Sequence, residues 1–120
     1  MTTWNSFEDL ECWQEARKVN QEIYRLTDLA PAKNDWALKD QLRRATISIM
    51  SNIAEGFGRE SSKDFLKFLI YARGSAREVQ SQLYTLQDIH GFEETDLEAA
   101  RCHLLSSVRL INGLIRHLKL

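Results

Sequence analysis

The chain has 120 residues, of which 43% are hydrophobic and 28% charged, and its 16 Lys plus Arg against 17 Asp plus Glu leave a net charge of −1. That length suits one domain and needs no disulfide or metal to hold it. The composition excludes a disordered chain, and the average charge excludes a strongly basic nucleic-acid clamp.

The N-terminus has no basic stretch followed by an apolar one, so no secretory signal is expected, and the longest apolar run, Phe68 to Ala72, is far too short to span a membrane. The expected location is the cytoplasm, where Cys12 and Cys102 would be reduced.

The apolar period is helical throughout. In the first segment Leu10, Trp13, Ala16, Val19, Ile23 and Leu26 step by three or four, with Ser6 and Asp9 as a cap pair and Pro31 beyond the end. In the second, Leu38, Leu42, Ala45, Ile49 and Ile53 repeat behind Asn34 as cap, and Gly56 and Gly58 mark the stop. The third is the most regular, from Phe65 through Leu69, Ala72, Ala76, Val79 and Leu83 to Ile89, with Ser61 and Asp64 at its start and Gly91 at its end. In the fourth, Leu97, Leu104, Val108, Ile111 and Ile115 form the stripe, opened by Thr95 and Glu98 as a capping box. These patterns predict helices over about 6–29, 35–56, 62–90 and 95–119 and no strand. Four amphipathic helices with short links make, most simply, an all-α antiparallel up-down four-helix bundle.

Two stretches are more apolar than one stripe needs. Phe65 to Tyr71 is interrupted only by Lys67, and Ile47, Met50, Ala54 and Phe57 lie beside the first row of the second helix. A wide core stripe or subunit contacts would each produce this, and Phe65, Phe68, Ile70 and Tyr71 are the candidate interface residues. Gly74, Ser75 and Ala76 fall together where small residues let another helix approach. A mid-helix glycine costs about 1 kcal/mol in propensity, which packing or function must offset.

Motifs for chemistry are missing. Gln87, Ala100 and Leu114 stand three positions before the three histidines, so the Glu-x-x-His pairs of di-metal bundles are absent. No P-loop, HExxH, GxGxxG or GxSxG occurs. No cofactor, metal or small-molecule substrate is expected. Glu55-Gly56-Phe57-Gly58-Arg59 followed by Ser61 and Ser62 reads either as an anion-holding turn or as a glycine stop and a capped start. Gln41, Arg44, Ser48, Asn52 and Glu55 fall along one ridge of the second helix. Buried members of that ridge need partners, and Arg73, Ser75 or Glu78 on the third helix can supply them, for helix register or for binding.

The run Gln41-Leu42-Arg43-Arg44-Ala45, Ser48-Ile49 and Asn52-Ile53-Ala54-Glu55-Gly56-Phe57-Gly58-Arg59, with Phe65, Phe68-Leu69, Ala72-Arg73-Gly74-Ser75 and Glu78, resembles the signature of the bacterial four-helix bundle proteins encoded by 23S rRNA intervening sequences. The resemblance covers nearly the whole chain. It implies a ring-like homopentamer and no established enzymatic activity. The same group includes the accessory variability determinant proteins of diversity-generating retroelements, which are basic and bind nucleic acid; this chain departs from them in its net charge of −1. Relatives often carry Glu two positions after the Glu78 equivalent, where this sequence has Gln80.

The near-neutral sum conceals a division. Residues 33–77 hold nine Lys plus Arg against five Asp plus Glu, a net of +4, whereas residues 1–32 and 78–120 together are −5. The candidate nucleic-acid contacts are therefore Arg43, Arg44, Arg59, Lys63, Lys67, Arg73 and Arg77. The expected protein is a non-catalytic oligomeric scaffold whose partners are copies of itself and RNA, DNA or a nucleic-acid-bound protein. The alternative is a protein-interaction module without nucleic-acid binding.

Overall fold

The computed structural model describes residues 4–120 and places them in four α-helices: α1 (Glu11–Thr27), α2 (Trp36–Gly58), α3 (Ser62–His90) and α4 (Glu94–Leu118). The described residues contain no strand. The 29 residues of α3 predict a rod of roughly 44 Å at 1.5 Å per residue, and the molecule measures 46 × 23 × 21 Å. Each helix packs on its neighbours in sequence, and α1 closes against α4; the diagonal pairs do not meet. The helices thus sit at the corners of a square around one core.

That core is built from the stripes. Ala16, Val19, Ile23 and Leu26 of α1 meet Leu42, Ile49 and Ile53 of α2, with Leu69, Leu83 and Leu86 from α3 and Leu97, Leu104 and Ile111 from α4, all within 1% of full burial. Removing one such side chain from water contributes about 1.5–3 kcal/mol, which is what fixes the faces the helices turn inward.

The ends differ from expectation in four places. The first segment is not one helix from residue 6: Phe7–Asp9 is a 3-10 turn, and Leu10 breaks the path with an extended backbone (φ −75°, ψ 122°). The break sinks Leu10 into the core, and Phe7 meets Trp13 edge-on at 5.1 Å. Asp35, rather than Asn34, caps α2 by accepting the Leu38 N–H at 3.2 Å. Gly56 does not stop α2, which runs on to Gly58. A Cβ at Gly56 would stand 2.6 Å from Phe68 Cβ, so this glycine serves the close approach of α2 and α3. Glu93, rather than Thr95, precedes α4, and its N–H donates to Asp96 at 2.8 Å. Ser61 caps α3 by accepting the Asp64 N–H at 3.1 Å, as the pattern predicts, and Gly91 ends it at φ 70°, a conformation that favours glycine.

Candidate functional site: the seam between α2 and α3

The polar ridge of α2 meets α3 along one seam. Ser48 Oγ and Ser75 Oγ share a hydrogen bond of 2.8 Å. Asn52 donates to the Ser48 carbonyl at 2.9 Å and to Ser48 Oγ at 3.0 Å, locking that rotamer. Ser75 is buried, and a buried hydroxyl without a partner would cost about 1–3 kcal/mol, so the trio fixes which residues of the two helices face each other. Further along, Gln82 donates to Gln41 at 3.2 Å.

Beside this trio the surface opens into a shallow groove of about 540 Å³ lined by Gln41, Arg44, Ile47, Ser48, Ser51 and Glu78, with Ala45 at its floor. Among the described residues Arg44 pairs only with Asp40, at 3.8 Å with both side chains largely exposed, and such a pair contributes little. None of the three histidines lines the groove. His90 is held by Asp35 at 2.7 Å and His103 by Glu15 at 2.9 Å, while His117 lines a separate hollow beside Arg59, Ser61 and Ser62. The ionisable groups that line the groove with Ser48 and Ser51 are therefore Arg44 and Glu78.

The last ridge residue, Glu55, and the α3 candidate Arg73 point elsewhere. Glu55 turns outward to Arg59 at 2.9 Å, and Arg73 turns away from α2 to donate to Asn112 of α4 at 2.9 Å. Of the three α3 partners that the sequence offers the ridge, Ser75 is bonded to it and Arg73 is not; Arg73 lies on the α4 side of α3, where Asn112 is within reach.

The basic candidates divide in the same way. Arg43 is committed to α1: its guanidinium donates to Thr27 Oγ1 at 3.0 Å and to Asp28 at 2.9 Å, and it lies 4.1 Å from the centre of the Tyr24 ring. Arg59 is held by Glu55 and the face of Phe68. Lys63, Lys67 and Arg77 form no ion pair among the described residues, though Lys67 lies over Phe68 and Arg77 donates to Gln80.

Among the apolar candidates, Phe65 and Phe68 are half-buried. Phe65 packs edge-on against Phe57 at 6.0 Å, and Phe68 covers Gly56. Ile70 and Tyr71 are exposed, as is Ile47 across the seam. Gly74 lies among them with open space where its Cβ would be, so packing within the chain does not require it.

The sequence reading missed a second cluster, on the seam of α3 and α4. There Arg101 stands 2.7 Å from Glu94, an ion pair though not a linear hydrogen bond, donates to Gln87 at 2.9 Å and covers the Tyr84 ring at 4.8 Å. A hollow of about 240 Å³ lies between Tyr84 and Leu105. The signal was present: both residues lie outside their helices' apolar stripes.

No group of three or more His, Cys, Asp or Glu among the described residues is placed to hold a metal ion, and no helix there is long and apolar enough to cross a membrane. The fold and seam define a small all-α protein of four helices with a polar-laced α2–α3 pair. The profile of the 23S rRNA-intervening sequence proteins matches residues 8–113, and the chain belongs to that family. No curated protein matches the chain.

Proposed function

We propose that the protein is a non-catalytic, self-assembling helical scaffold that contacts nucleic acid through α3. The subunit on this reading is an antiparallel up-down bundle. Its contact order supports this: Asp35, Gln41, Ser48 and Gly56 of α2 meet His90, Gln82, Ser75 and Phe68 of α3, one series rising as the other falls. The assembly is a ring-like homopentamer, as the family resemblance implies, working in the bacterial cytoplasm, where the free thiols Cys12 and Cys102 would stay reduced.

The observation that carries the nucleic-acid contact is the set Lys63, Lys67 and Arg77, exposed on one helix with no carboxylate partner among the described residues. Repetition around a ring multiplies a weak patch into a useful one. The test is titration of labelled RNA and DNA at low and moderate salt. Binding should weaken steeply with salt, by a log–log slope of about −0.7 for each single-strand phosphate contacted. Replacing all three cations by alanine should flatten that slope. No binding to either polymer at low salt overturns the reading.

A second reading, a protein-interaction module, draws on Arg43, Arg59 and Arg73, whose side chains are already engaged within the chain. Copurification of one protein partner, unaffected by nuclease, would favour it.

A further inference from the structure

A hollow of about 320 Å³ lies on the seam of α1 and α4, on the side of the square opposite the α2–α3 groove. It owes its shape to the break at Leu10. The turn Phe7–Asp9 and the extended Leu10 bring the chain into the seam before α1 begins. Ser107 of α4 donates to the Cys12 carbonyl at 3.0 Å and so ties α4 to the first turn of α1. Buried Leu10 and Cys12 make the floor, and half-buried Leu110 and Leu114, one turn apart on α4, make a wall. Gly113 belongs to the same wall. A Cβ there would meet only the Nη2 of Arg116, at 3.9 Å, so packing does not require glycine, and α4 runs on past it to Leu118. A glycine inside a helix weakens it. What this one does is deepen the hollow, one turn beyond Arg109.

The rim carries unlike charges that the chain leaves unused. Glu11 and Arg109 both line the hollow, both are exposed, and neither forms an ion pair or a hydrogen bond among the described residues. The third charged group there, Asp9, is engaged: its carboxylate accepts the N–H groups of Asn5 and Ser6, at 2.8 and 3.3 Å. An apolar pocket rimmed by a free carboxylate and a free guanidinium selects a molecule with an apolar body, an ammonium and a carboxylate. Pockets for small molecules start at about 300 Å³, so this one suits a single small molecule.

We infer that the α1–α4 hollow binds a free α-amino acid with a large apolar side chain. The side chain lies against Leu10, Leu110 and Leu114 in the space that Gly113 leaves. The carboxylate faces the Arg109 guanidinium, which can hold it with two parallel hydrogen bonds, and the ammonium faces Glu11. Each charged end gains a partner while the apolar body leaves water. The site lies apart from Lys63, Lys67 and Arg77 on α3 and stands or falls independently of the nucleic-acid reading.

The experiment titrates the full chain with L-phenylalanine and follows the ligand by NMR. Two comparison ligands each remove one charge: phenylalaninamide lacks the carboxylate, and N-acetylphenylalanine lacks the ammonium. Phenylalanine should bind with a Kd of about 1 mM or tighter, and each comparison ligand about tenfold more weakly. Arg109→Gln should weaken phenylalanine and its N-acetyl derivative and leave the amide unchanged. Glu11→Gln should weaken phenylalanine and the amide and leave the N-acetyl derivative unchanged. Gly113→Leu fills the hollow and should abolish binding of all three ligands while circular dichroism shows the helices kept. If that variant unfolds, Gly113→Ala, whose Cβ has room, takes its place; it should raise the melting temperature of the free chain and weaken all three ligands. No binding of phenylalanine at about 10 mM overturns the site. Equal binding of the three ligands, or affinities that neither charge variant moves, overturns the assignment of Arg109 and Glu11, and binding that survives a folded Gly113→Leu places the ligand elsewhere and overturns it too.

Discussion

Gly56 of α2 lies against Phe68 of α3 so closely that a Cβ built on the glycine would be 2.6 Å from the Phe68 Cβ and 3.1 Å from a Phe65 ring carbon. A side-chain Cβ is tied to its backbone and cannot swing aside, so Gly56→Ala has to push the two helices apart. Overpacking of this kind costs about 1–3 kcal/mol, which outweighs the propensity gain of about 1 kcal/mol from removing a helical glycine. Gly74→Ala meets nothing within 4 Å and keeps that gain within the subunit. In urea unfolding the two substitutions should move the subunit's stability in opposite directions, Gly56→Ala down and Gly74→Ala up or unchanged. A Gly56→Ala variant as stable as wild type would mean that α3 yields easily there.

Arg43 should behave as a structural residue despite its charge. It joins α2 to Thr27, Asp28 and the Tyr24 ring at the end of α1. A charge-assisted hydrogen bond to a half-buried group contributes about 1.5–3 kcal/mol, so Arg43→Ala should destabilise by about 1–3 kcal/mol, while Lys63→Ala stays within about 0.5 kcal/mol, as surface changes do. Arg43→Lys should recover little, because an ammonium neither stacks nor presents the planar fork. If Arg43→Ala instead weakened nucleic-acid binding at unchanged stability, its side chain would have to leave Thr27 and Asp28 in solution.

The helices were legible in the sequence because burial imposes the 3.6-residue period, and the Ser61 and Gly91 signals mark backbone needs that few residues meet. The misplaced ends have a common reason. Asn34 and Asp35 are both competent caps, as are Glu93 and Thr95, and the choice depends on His90 and Asp96, which the local pattern does not weigh. The serine–asparagine trio was readable as a ridge because one helix face carries Ser48 and Asn52. The direction taken by Arg43, Glu55 and Arg73 was not, since a long side chain on a helix flank reaches either neighbour. Gly56 reads as a stop in sequence, and only the position of Phe68 reveals it as a contact.

Two histidines tie the helices together through carboxylates, and this gives stability an acid limb. His90 holds the Asp35 carboxyl below its ordinary range, helped by the Leu38 N–H, and His103 holds Glu15 down in the same way. A carboxyl with a depressed folded-state pKa contributes stability that is present above its unfolded value, near 4, and is lost as pH falls through the folded value. The melting temperature of the wild type should therefore fall between about pH 4 and pH 2. The double variant His90→Gln, His103→Gln, which removes the ring partners of both carboxyls, should start lower at pH 5 and fall less over that range. Parallel melting curves for the two proteins would show that these pairs do not set the acid limb.

The two cysteines should differ sharply in reactivity. Cys12 is buried on α1, where loss of solvent pushes its thiol up to about 12, while Cys102 is exposed on α4. The thiolate is the attacking species, so at pH 8 Cys12 is both inaccessible and almost wholly protonated. A chromogenic disulfide reagent should label one thiol per chain quickly and the second only in denaturant. Cys102→Ser should abolish the fast phase and leave a slow one that accelerates with urea as the core opens. Ser107 supports this by donating to the Cys12 carbonyl at 3.0 Å, pinning α4 over that turn of α1. Ser107→Ala should then quicken the slow phase about fivefold to tenfold, the effect of losing a hydrogen bond of about 1 kcal/mol when labelling follows the opened fraction. Two equally fast thiols in the native protein would mean that the α1–α4 contact opens freely at Cys12.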